Sequence, residues 1–161
     1  MAVGSASWSF TEEDFGAITR VLNKFLAETN ARCALLVDRS GQLVATVGEQ
    51  PQFDATAFAT LTAADFSANA QLAQLVGESD FNSLFHQGEK ESMYLADVAK
   101  RVILVALFDN RTTLGLVRLK IKDTVLELTK IFHDVFTRGK SAAQQPGLLA
   151  GADDEIDQLF G

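Results

Sequence analysis

The stretch Ala55–Gly77, ATAFATLTAADFSANAQLAQLVG, runs 23 residues with one charged side chain, Asp65. At the chain's overall charged fraction of 22%, about five charges belong in a segment of that length. Rich in Ala, Leu and Phe, it reads as one long helix, introduced by Pro51 and the N-cap candidate Asp54 and ended by Gly77. A surface helix ordinarily keeps Lys and Glu on its outer side. Here both sides are free of them, and a domain of 161 residues can hardly surround a helix this long. The expectation is therefore that one face meets the protein's own sheet and another meets a second protein, since depletion of charge marks an interface core.

At 100° per residue the helix has three sides. Phe58, Leu61, Leu72, Leu75 and Val76 make the expected sheet-facing stripe, with Asp65 and Asn69 close by. Thr56, Thr60, Ala64, Ser67, Gln71 and Gln74, small or polar but uncharged, lie opposite. Ala59, Ala63, Phe66, Ala70 and Ala73 fill the third side, where Phe66 is placed to anchor a close helix contact.

Upstream, Thr11 with Asp14 three residues on makes a variant capping box, and Phe10 with Phe15 a hydrophobic staple. Phe15, Ile18, Leu22 and Phe25 continue at helical spacing to about Thr29, with Asn30 as the stop. Arg32–Val37 and Leu43–Val47 read as a hairpin turned by Asp38-Arg39-Ser40-Gly41. Downstream, the polar Glu78–Glu91 reads as a loop. Three strands are expected after it: Ser92–Ala99, the nearly all-apolar and hence central Val102–Asp109, and Thr113–Arg118. If Ser92–Ala99 lies at the sheet edge it can pair with a second copy. An amphipathic helix, Leu119–Thr137, comes next, followed by a small polar linker, Gly139–Gly151.

The order α-β-β-α-β-β-β-α predicts an α+β domain: one five-stranded, mainly antiparallel sheet flanked by helices, at residues 10–138. Residues 1–9 are an N-terminal extension and 139–151 the linker. The acidic segment 152–161 carries Ile156, Leu159 and Phe160 at i, i+3 and i+4, the pattern of a short docking helix, while solvated disorder is its plain alternative.

Function classes narrow by exclusion. A net charge of −7 and pI near 4.7 oppose nucleic acid and anionic membrane surfaces. No apolar run approaches the ~20 residues that span a bilayer. The N-terminus, MAVGSASWSF, does not read as a secretory signal, and a lone Cys33 suggests a reducing compartment, so a cytoplasmic protein is expected. His86 and His133 stand without metal-ligand spacing, and Cys33 among Ala34, Leu35 and Leu36 reads as a buried hydrophobe. There is no GxxxxGK[ST], GxGxxG or GxSxG. The residues offer no catalytic constellation and no cofactor or metal site.

Several runs then resemble a known family. Phe108-Asp109-Asn110-Arg111-Thr112-Thr113-Leu114-Gly115-Leu116-Val117-Arg118, with Glu127-Leu128 on the final helix, resembles the strand–turn–strand and closing helix of Roadblock/LC7 domains. Leu36-Val37-Asp38-Arg39-Ser40-Gly41-Gln42-Leu43, Ser92-Met93-Tyr94 and the tail Asp153-Asp154-Glu155-Ile156-Asp157-Gln158-Leu159-Phe160 fit the same resemblance. It implies a homodimer joined through central helices and edge strands into one continuous sheet. It implies that the dimer activates a Ras-like small GTPase without an arginine finger, in control of cell polarity and gliding motility, with placement at a cell pole. No nucleic acid, membrane insertion, cofactor or catalytic residue of its own is implied.

The implied partner-binding residues are Thr60, Ala64, Ser67, Ala68, Gln71 and Gln74, and the implied dimer residues Phe66, Ala70, Ala73, Met93, Tyr94 and Leu95. Ile156, Leu159 and Phe160 would dock the tail. The family can carry Gly where this chain has Asn69-Ala70-Gln71, a departure that bears on how closely a partner approaches. A passive adaptor dimer is the alternative to an activator, and Arg111 is the candidate were a finger supplied in trans.

Overall fold

A computed structural model describes residues 10–79 and 81–144, with side chains to residue 139. The expected N-terminal extension, most of the linker and the docking tail lie outside the described residues. In chain order the elements are α1 (Glu12–Thr29), β1 (Cys33–Asp38), β2 (Leu43–Gly48), α2 (Ala55–Leu75), β3 (Ser83–Gln87), β4 (Ser92–Val98), β5 (Val102–Phe108) and α3 (Leu114–Gln144).

Local signals built the first helix as expected. Thr11 Oγ1 accepts from the Asp14 N–H at 3.1 Å, and Asp14 Oδ2 accepts from the Thr11 N–H at 2.8 Å, closing the capping box. The rings of Phe10 and Phe15 meet at 5.0 Å. Asn30 takes the left-handed conformation (φ 61°) and sends its N–H to the Leu26 carbonyl, ending α1. The β1–β2 turn closes with the Gly41 N–H on the Asp38 carbonyl at 2.9 Å. Gly41 needs its φ of +99°, and a Cβ there would also press within 3.3 Å of the Thr60 backbone, so the turn tucks under α2.

The five strands form one sheet in the order β2-β1-β5-β4-β3, every pair antiparallel. β5 is central, as its apolar run predicts, with only Leu107 less than fully buried. The pleat divides the core. Leu36 and Leu104 face α1 and α3 with Leu22, Phe25, Leu128 and Phe132, while Leu35, Val37, Ile103 and Val105 face α2 with Phe66. The domain is thus three layers, with two helices on one side of the sheet and one on the other.

Three expectations need correction. Ser83–Gln87 is a strand, not part of a loop. Its polar edge residues disguise an alternation in which Leu84 packs toward α2 and Phe85 toward the opposite cluster. Thr113–Arg118 is not a strand: Thr113 Oγ1 caps the Leu116 N–H at 3.2 Å and starts α3 there. No place existed for a strand beside β5, since β1 and β4 already pair with it. α3 also runs past Thr137 through Gly139 to Gln144, taking in the start of the expected linker.

Candidate functional site

The site is the outer surface of α2 together with the neighbouring sheet edge. α2 begins at Asp54, whose Oδ1 accepts from the N–H groups of Thr56 and Ala57 at 3.0 and 3.2 Å. Gly77, at φ +87°, turns the chain out past its far end.

The side facing the sheet is not the one that helical spacing suggests. Ala59, Thr62, Ala63, Phe66 and Ala73 are buried. Leu61, Leu72, Leu75 and Val76 are instead exposed, at 68%, 55%, 82% and 69%. Small side chains let the helix lie close on the sheet; Phe66 is the fully buried large knob, roofed by the Arg39 guanidinium 5.4 Å from its ring centre, and Phe58 of the expected stripe packs partly against the same cluster. Large Leu residues in that seam would force the helix away, so they point to solvent.

The residues expected to bind a partner lie on the outer side of α2. Thr60, Ala64, Ser67, Ala68, Gln71 and Gln74 are all exposed. With the outward Leu residues they form a surface of small, polar and apolar side chains whose one charge is Asp65. Desolvating such a surface costs less than desolvating one covered with charges.

Most of the residues expected at a dimer contact are buried within the chain itself. Phe66 and Ala73 are spent against the chain's own sheet, at 2% and 0% exposure. Ser92–Val98 is not an edge: Met93, Tyr94 and Leu95 pair with Leu107, Ala106 and Val105 on one side and with His86, Phe85 and Leu84 on the other. Tyr94 and Leu95 are buried in opposite core clusters and Met93 is partly buried. Only Ala70 remains half-exposed on α2. The true edge on this side is β3, whose outer backbone faces no strand among the described residues.

α2 and that edge are tied together. His86 Nε2 on β3 lies 2.7 Å from Asp65 Oδ2 on α2. Beside them Asn69 Nδ2 is buried with no hydrogen-bond partner among the described residues. An orphaned buried donor of this kind costs about 1–3 kcal/mol.

The remaining candidates resolve to structural roles. Arg111 is held by Asp109 at 3.0 Å and Glu49 at 3.1 Å, and Glu49 also takes Arg32 at 2.7 Å. The hydrogen bonds of Asp109 and Glu49 raise the Arg111 pKa, and those of Arg32 and Arg111 lower that of Glu49. Burial pushes the Cys33 thiol up to about 11, which silences it as a nucleophile. His133 is exposed on α3. Among the described residues no group of three His, Cys, Asp or Glu converges as metal ligands, and no helix is long and apolar enough to cross a membrane.

The helix–sheet–helix layering and strand order have known counterparts. Residues 18–108 match the Roadblock/LC7 domain, and the chain belongs to the Roadblock/LC7 family. Within it the chain is similar to MglB of Myxococcus xanthus, with 46% identity over 74% of this chain and 98% of that one, at a TM-score of 0.72. It is also similar to the gliding protein MglB of Thermus thermophilus, with 32% identity over 81% and 98% and a TM-score of 0.75. An MglB with a tetrameric arrangement gives 32% identity over the same shares and a TM-score of 0.76. No curated protein matches the chain.

Proposed function

We propose that the chain is a homodimeric GTPase-activating protein for a Ras-like small GTPase of the MglA type, acting in cell polarity and gliding motility from the cytoplasm, at a cell pole. The observation that carries this reading is the charge-poor outer surface of α2 standing directly beside the open edge β3. Two copies joined along β3 would bring their α2 helices together into one broad, charge-poor face. A second copy would also supply the apolar cover for Leu72, Leu75 and Val76.

The GTPase would seat on Thr60, Ala64, Ser67, Ala68, Gln71 and Gln74 of the joined helices. A face with no free Arg or Lys has no finger to insert, so activation would come from reshaping the GTPase until its own residues complete the site. Ile156, Leu159 and Phe160 would modulate that binding or nucleotide exchange. The similarity to MglB proteins at 46% and 32% identity supports this reading over that of a passive adaptor.

Phosphate release from the cognate GTPase, with and without the protein, tests it. Acceleration of hydrolysis is expected, and binding without acceleration means the adaptor. In the same assay Arg111→Ala is expected to stimulate as fully as the unaltered chain, since its guanidinium is already engaged by two carboxylates. A loss of about 10³-fold or more would return the finger.

A further inference from the structure

The outer side of α3 is the opposite of α2 in charge. Leu119 and Leu126, seven residues apart on one stripe, are 59% and 63% exposed, and Leu116 is 37% exposed at its start. Arg118, Lys122 and Lys130 flank the stripe, and none forms an ion pair with a described residue. The paired charges of this helix lie on its α1 side, where Lys120 meets Glu28 at 3.4 Å and Glu127 meets Lys24 at 2.9 Å. Asp123, one turn from both Leu119 and Leu126, is the one acid within the stripe. On a chain with net charge −7, this is a basic and apolar strip on an otherwise acidic molecule.

We propose that the segment Asp153–Phe160 of the same chain docks on this stripe, seating Ile156, Leu159 and Phe160 over Leu119 and Leu126 while its four acids meet Arg118, Lys122 and Lys130. Charge decides between the two apolar helix faces. α2 offers Leu61, Leu72 and Leu75 but only Asp65 for charge, which repels an acidic segment. α3 offers apolar contact and attraction together. Reach permits it: Leu126 stands 18 residues before Gln144, about 27 Å back along the helix, and the 12 residues from Gln144 to Ile156 extend to about 40 Å. In the absence of a partner the docked segment covers both its own apolar side chains and those of α3. The inference does not depend on the GTPase reading, because it concerns the protein alone.

The test uses the full chain carrying a nitroxide at Gln158→Cys, with buried Cys33 left in place. Nuclear magnetic resonance then follows broadening of the amides. Leu119, Lys122 and Leu126 are expected to broaden severalfold more than Thr60 and Ala68, and the effect to fall in 0.5 M salt, where the screening length shrinks to about 4 Å. Lys122→Glu with Lys130→Glu, both exposed, is expected to abolish it while leaving the rest of the spectrum in place. No excess broadening on α3, or broadening centred on α2, overturns the proposal. So does broadening that appears in unlabelled chains mixed with labelled ones, because the segment would then sit on a second copy.

Discussion

Asp65, the one charge of α2, lies 2.7 Å from His86 on the edge strand β3, so the helix proposed to meet the GTPase and the strand proposed to meet a second copy are tied to each other. Any protein that pairs with the edge meets the helix beside it. The contact is exposed, and a surface pair of this kind is worth at most about 1 kcal/mol.

Phe66 is expected to behave as a core residue. It is 2% exposed, so Phe66→Ala should cost about 3–5 kcal/mol, read as a fall in the urea midpoint at fixed protein concentration. A variant that unfolds like the unaltered chain but no longer self-associates would return Phe66 to a contact between copies.

Ala68→Glu should do the reverse. Ala68 is exposed, so stability is expected to move by less than about 0.5 kcal/mol. Stimulation of GTP hydrolysis is expected to fall by at least about tenfold, because the new carboxylate would be buried unpaired against the partner. Full stimulation by this variant would move the binding surface off α2.

Acid should loosen the contact between the start of α1 and the far part of α3. Asp14 accepts twice from Arg138 at 2.6 Å. Burial on its own raises the carboxyl pKa, but the hydrogen bonds from Arg138 and Thr11 outweigh it and hold the value below the ordinary 3.8. A depressed acid pKa contributes stability that is complete above the unfolded value and is lost as pH falls through the folded one. Urea unfolding between pH 7 and pH 2 should therefore show an acid loss that Asp14→Asn reduces. The same loss in both proteins would show that Asp14 is not its source.

Cys33 should resist thiol reagents at pH 8 in the folded protein and react once denaturant exposes it, since burial pushes its pKa to about 11. Rapid reaction of the native chain would mean that the sheet opens beneath α2.

Elements with strong local signals are legible in the residues themselves: the capping box at Thr11, the Gly41 turn, the apolar β5 and the uncharged run of α2. Each is set by neighbours within a few residues, so spacing alone reports it. Thr113–Arg118 deceives because Leu114 and Leu116 alternate like a strand, while the deciding signal is one hydroxyl cap at Thr113. Ser83–Gln87 deceives in the other direction, since an edge strand wears polar residues over a short apolar alternation.

Missing charge is a property of composition, so the residues of α2 were enough to make it a helix whose outer side carries almost no charge. Which of its sides faces inward depended on packing between distant segments. A helix with almost no charge has no strongly preferred face until the sheet selects the side that packs closest, and it selected Ala59, Ala63, Phe66 and Ala73 over the Leu residues. The place of the open edge was settled in the same way. Strand order is a pairing of segments far apart in the chain, and only the assembled sheet encloses β4 and leaves β3 at the margin.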